Sequence, residues 1–131
     1  MTAKTSPEDN EAALAELDIR LTDLSPEAAD AQPFGLIRLD RRGRVLSYNT
    51  YEERLAKLAR ADVLGKNFFF EIAPCTRVRE FYGRFLDGVE RGALRTTFGF
   101  VFPFPHGERE VRISMLMRPG EDAVWVVVQG G

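Results

Sequence analysis

The chain has 131 residues, 44% hydrophobic and 29% charged, with a net charge of −2. That is the composition of one soluble globular domain with one core, and it gives no electrostatic reason to bind nucleic acid or an anionic membrane. No apolar run approaches the ~20 residues of a membrane span; one cysteine forbids an internal disulfide, and one histidine excludes the paired-histidine metal motifs.

Residues 1–33 are expected to form a helical cap ahead of the body. Met1 to Glu8 lacks the apolar core of a signal peptide, and a single cysteine fits a reducing cytoplasm. Ser6-Pro7 and Ser25-Pro26 each read as an N-cap followed by the first helical residue, and Gln32-Pro33 closes the second helix. Leu14, Leu17, Leu21 and Leu24 make one narrow apolar stripe, so the cap is expected to pack weakly and to be a candidate for release.

Residues 34–131 make the body. Phe34 to Asp40 and Arg44 to Tyr48 read as two strands around an Arg42-Gly43 turn. Asn49 caps a helix expected to run to about Arg60, and Asp62 starts a short turn ending at Gly65. Val78, Phe81, Tyr82, Phe85, Leu86 and Val89 recur at helical spacing, which predicts one long amphipathic helix stopped by Gly92. Leu94 to Phe104 is a strand with Phe98, Phe100, Phe102 and Phe104 on one face. Pro103 to Gly107 reads as a loop whose prolines end the ladder, before strands at Val111 to Met117 and Val124 to Val128. The order predicts an α+β domain with a five-stranded antiparallel sheet and helices on one face.

Cys75 follows Phe68-Phe69-Phe70 and Pro74, and Thr76 is expected to cap the long helix. Two readings follow. Free N–H groups at a helix start favour a thiolate and can donate to an acyl oxygen on the sulfur, which suits covalent attachment. The other reading is an inert cysteine packed as a small hydrophobe.

Gly65-Lys66-Asn67-Phe68-Phe69, Ala73-Pro74-Cys75-Thr76 and Glu80-Phe81-Tyr82-Gly83, with Tyr48-Asn49 ahead of them, resemble the photoactive yellow protein family. The resemblance covers residues 34 to 128 and implies a PAS fold. It implies a p-coumaric (4-hydroxycinnamic) acid chromophore held as a thioester on Cys75. It also implies blue-light trans-to-cis isomerisation and a signalling state passed to a downstream protein. By the same resemblance, Tyr48 and Glu52 hydrogen-bond the phenolate of the chromophore, and Phe68, Ile72, Ala73, Thr76 and Phe102 wall the pocket. Glu52 can donate only if protonated, which requires a pKa raised by burial.

The residues alone leave other readings open. Asn49-Thr50-Tyr51-Glu52 also fits a capping box with Glu52 at its third helical position, and Tyr48 also fits an ordinary strand aromatic. The chain departs from the family at Ala56, Leu58, Phe104 and His106, where threonine, arginine, tyrosine and methionine are common. His106 either lies over the chromophore or points into solvent from a loop. The competing function is a non-photoactive PAS module that binds a ligand or a protein partner, with Cys75 unmodified. Enzymatic activity is not expected, because no base is evident beside Cys75. A monomer or weak dimer is expected.

Overall fold

The structure is a computed structural model that describes residues 7–130. Strands β1 (Gly35–Asp40), β2 (Val45–Tyr48), β3 (Leu94–Phe104), β4 (Gly107–Met117) and β5 (Ala123–Gly130) form one antiparallel sheet. Their order is β2-β1-β5-β4-β3. The two-residue period of a strand divides the side chains between two cores. Ile37, Leu39, Ile113, Met115, Val124 and Val126 face the main one. Leu36, Leu116, Trp125 and Val127 face the second, on the other side of the sheet.

The main core is closed by α3 (Thr50–Ala56), α4 (Arg60–Val63), α5 (Arg84–Arg91) and two π turns, Phe68–Ile72 and Arg79–Gly83. Phe69 sits at its centre, edge-on to Phe81 at 5.7 Å between ring centroids and tilted against Phe85 at 4.9 Å. Such pairs add about 0.5–1.5 kcal/mol to the burial of the rings.

The second core is closed by the cap, α1 (Pro7–Arg20) and α2 (Pro26–Asp30). Leu14, Leu17 and Leu21 are only 3–5% exposed there, with Leu24 partly buried beside them. Polar ties add to this stripe. Asp18 accepts from Arg118 Nε at 2.7 Å and from Arg95 Nη1 at 3.3 Å, and Arg95 also reaches Glu11 at 2.7 Å. The cap is therefore held by ion pairs as well as by leucines, which a narrow stripe did not foretell. Ser25 caps α2 as expected, accepting from Ala28 N. Ser6 lies outside the described residues.

Three elements differ from the sequence reading. Helix α3 ends at Ala56, not near Arg60, because Lys57 adopts left-handed backbone at φ 56°. The long helix does not start at Cys75. Pro74–Thr76 is an isolated 3-10 turn, and Val78 is extended at φ −128° and ψ 161°. A π turn at Arg79–Gly83 then leads into α5. A π turn holds an extra residue and rotates the apolar stripe. Phe81 and Phe85 are fully buried, while Val78 and Leu86, expected inside, are 41% and 47% exposed.

The third difference is the hairpin. Pro103 does not end the ladder; it pairs with Glu108, and Phe104 pairs with Gly107. Strand β3 is a sheet edge, and an edge strand tolerates a proline whose missing N–H would face outward. The expected loop is thus a tight turn at Pro105-His106, with Gly107 at φ 132° closing it. Gly92, at φ 78°, stops α5 as expected.

One irregularity aims the site. In β2, Val45 pairs with Leu39 and Ser47 with Arg38, which leaves Leu46 as an unpaired extra residue. A bulge of this kind shifts the side-chain phase by one. Val45 and Tyr48 consequently both reach the main core, three positions apart.

Candidate functional site

A cavity of about 400 Å³ opens between α3, the Phe68–Ile72 turn and the β3–β4 hairpin. Tyr48, Glu52, Ala56 and Leu58 line it from one side, and Phe68, Ile72, Ala73 and Phe102 from the other. His106 stands with Phe104 and Pro105 at the hairpin, and Lys57 completes the lining. The volume falls in the range of small-ligand sites, about 300–1,000 Å³.

Tyr48 and Glu52 carry the polar chemistry. Both are 2% exposed. The bulge turns Tyr48 inward, and Glu52 comes from the first turn of α3. Asn49 caps that helix by accepting from Glu52 N at 3.2 Å. The Glu52 carboxyl does not complete a capping box. The amide of Asn49 donates to Leu36 O instead, at 3.1 Å, and Glu52 Oε1 has no hydrogen-bond partner among the described residues. Burial pushes the Glu52 pKa up to about 8. Burial also raises Tyr48 far above the usual tyrosine range, and the nearby Glu52 and Glu53 carboxylates add to this. Both groups are therefore neutral at neutral pH, and each has a proton to donate.

Gly35 is a site residue that the sequence reading missed. A Cβ added there would overlap Glu52 Oε1. A glycine within a strand is a signal of close approach by another group, and here that group is the carboxyl.

The apolar side of the cavity runs into its mouth as a row of rings. Phe102 stacks on Phe104 at 5.1 Å, and Phe104 stacks on His106 at 5.0 Å. His106 Nε2 donates to Leu55 O at 3.0 Å. Although exposed, the imidazole thus pins the hairpin to α3 and borders the mouth rather than pointing away from it.

Cys75 and Thr76 do not border the cavity. They follow the lining residue Ala73 in the 3-10 turn. Thr76 is fully buried and donates Oγ1 to Ala73 O at 2.6 Å, with its amide on the same carbonyl at 2.9 Å. It locks this turn and does not cap the long helix. Cys75 is half-buried against the main core. Burial pushes its thiol pKa up, with a hydrogen bond from its own backbone acting the other way. The expectation of a thiolate favoured by a helix start is therefore overturned, since the long helix begins beyond Val78.

Comparison with known proteins gives the family of the chain. Residues 26–129 match the model of the PAS fold family. The photoactive yellow proteins of Halochromatium salexigens and Rhodothalassium salexigens are 37% and 38% identical over 114 residues, covering 87% of this chain and 91% of each relative. The chain belongs to the photoactive yellow protein family of PAS domains. The photoactive yellow protein domain of the sensor histidine kinase Ppr from Rhodospirillum centenum matches at a TM-score of 0.74 and 42% identity, over 77% of this chain and 94% of that one. The PAS domain of the RpfR quorum-sensing receptor from Cronobacter turicensis, solved with BDSF, matches at a TM-score of 0.62 and 16% identity, over 76% of this chain and 94% of that one. At that identity it shares the fold alone.

Ala56 brings only a methyl to the cavity lining, and Leu58, 37% exposed, an apolar side chain. Lys57 is the one lysine or arginine in the lining. Among the described residues no cluster suited to a metal ion occurs, and no helix is long and apolar enough to cross a membrane.

Proposed function

We propose that the protein is a blue-light photoreceptor that carries p-coumaric acid as a thioester on Cys75. The observation that supports this best is the buried Glu52 Oε1, which has no partner among the described residues, beside Tyr48 in an aromatic-walled cavity. An unpartnered buried polar group is costly, and an anionic oxygen between these two residues would satisfy both. Bound as a thioester, a p-coumaroyl group would supply such a phenolate and a double bond that light turns from trans to cis.

The protein's own groups supply the rest. Tyr48 Oη and protonated Glu52 donate two charge-assisted hydrogen bonds, which replace the water lost on burial. Glu52 holds its proton in the dark and releases it when the facing oxygen becomes the stronger base. That release leaves a buried carboxylate, at a cost of several kcal/mol. The carboxylate sits on α3, whose start is tied to the cap: Asp30 accepts from Thr50 N at 3.0 Å and from Arg60 Nη2 at 2.8 Å. Drawing Glu52 toward water strains α3, loosens these ties and frees residues 1–33 from the body for a downstream signalling protein. In this reading the protein is a cytoplasmic receptor, a monomer or weak dimer, and not an enzyme.

The position of Cys75 outside the cavity lining, with its raised thiol pKa, favours a second reading: a PAS module with a non-covalent ligand. Incubation with a p-coumaroyl thioester of a small thiol separates the two. On the first reading the acyl carbon bonds to Cys75 Sγ as its bond to the donor sulfur breaks, and the small thiol leaves carrying the proton from Cys75. Intact mass then rises by one p-coumaroyl group, and the protein turns yellow, bleaches in blue light and recovers in the dark. Cys75→Ala abolishes all of this. A colourless protein of unchanged mass supports the second reading.

A further inference from the structure

We infer that the cavity beneath the cap is a second binding site, for a small amphipathic carboxylate held by Arg38. This cavity, of about 370 Å³, lies on the outer side of the sheet, between α2 and strands β1 and β2. Arg38, Ser47 and Trp125 line it, together with Leu36, Leu46 and Leu64. The Arg38 guanidinium carbon lies 5.3 Å from the centroid of the Trp125 ring. Its Nε is buried and has no hydrogen-bond partner among the described residues.

A buried guanidinium N–H without an acceptor is costly, and the planar fork to which Nε belongs matches a carboxylate. The other charges in the lining are already matched. Arg60 Nη2 bonds Asp30 at 2.8 Å and Glu53 at 3.3 Å. Among the described residues Arg38 is therefore the charge of this lining with no ion-pair partner, its guanidinium meeting only the face of Trp125. One unmatched cation calls for a monoanion; a phosphate dianion would overshoot it and would face Asp30 across the cavity. The apolar part of the ligand has its own surface. Leu46 and Leu64 are 51% and 42% exposed at the rim, and the bulge is what leaves Leu46 there. The cavity volume suits a small molecule.

The test uses the single tryptophan of the chain, Trp125, as its reporter. The full chain is titrated with 4-phenylbutyrate, with the amide of that acid, and with inorganic phosphate, following Trp125 fluorescence. The acid should give a saturable response; the amide should bind at least about tenfold more weakly, the usual worth of one bond to a charged group; and phosphate should give none. Arg38→Gln should weaken the acid by a similar factor, Arg38→Lys by less, and Glu52→Gln, in the other cavity, should leave it unchanged. No saturation by the acid, equal binding of the amide, saturation by phosphate alone, or an unchanged Arg38→Gln would each overturn the assignment. Should Arg38→Gln fail to fold, the comparison of acid with amide on the unsubstituted chain decides the matter.

Discussion

Asn49 Nδ2 donates to the carbonyl of Ala29 at 2.8 Å, joining the start of α3 to the last turn of the cap. The same amide group donates to Phe34 O at 2.9 Å, while Oδ1 accepts from Leu36 N at 2.9 Å and from Glu52 N. One buried side chain thus serves the cap, β1 and the helix that carries Glu52. Asn49→Ala would strand several of these groups at once. It should cost about 2–4 kcal/mol in urea unfolding, at about 1–3 kcal/mol per buried unsatisfied group, and should raise amide exchange across α2. A loss under about 0.5 kcal/mol would show that Asn49 does not hold the cap.

The chromophore-free protein should lose stability as pH rises, and Glu52 sets the window. Its folded pKa of about 8 lies above the ordinary value of 4.5. Between these values the folded state binds the proton more tightly than the unfolded state. The contribution is complete below pH 4.5 and is lost as pH climbs toward 8. The loss should be on the order of a few kcal/mol. Glu52→Gln should flatten this decline. An unchanged slope of urea midpoint against pH in the glutamine variant would mean that Glu52 is not the group responsible.

Gly35 makes room for the carboxyl. Gly35→Ala should cost about 1–3 kcal/mol, the usual range for overpacking, because the new Cβ meets Glu52 Oε1. Combined with Glu52→Ala, most of that cost should vanish, since the two residues then no longer collide. Additive effects in the double substitution would place the clash elsewhere.

The rim substitutions should act on the chromophore. Neither Ala56 nor Leu58 supplies a polar group to the cavity that they line. A buried anion with fewer donors has a raised pKa. In the reconstituted protein, Ala56→Thr with Leu58→Arg should therefore shift the acid bleaching of the yellow colour to lower pH. A titration unmoved by the pair would remove these positions from the account.

Much of the fold was legible because it follows simple periods. Alternation in Phe98, Phe100 and Phe102 marked the inner face of β3, and Asn49 marked the start of α3. Glu52 was legible as a candidate, but its capping-box reading could be dismissed only once the free Oε1 was seen. What stayed hidden breaks a period. The bulge at Leu46 adds a residue without any distinctive side chain. The left-handed Lys57 carries no glycine to announce it. The π turn before α5 rotated a stripe that the spacing drew straight, which misplaced Val78 and Leu86 and put Cys75 at a helix start it does not occupy. The cap was underrated because its ion pairs join Asp18 to Arg95 and Arg118, residues far apart in the chain.

The central claim is that Glu52 holds a proton in the dark and gives it up in the light. Light-minus-dark infrared spectroscopy of the reconstituted protein reads this directly. The account predicts a protonated-carboxyl band in the dark that disappears on photoconversion, with the loss absent in Glu52→Gln. A dark state without that band, or a band loss that persists in Glu52→Gln, would contradict it.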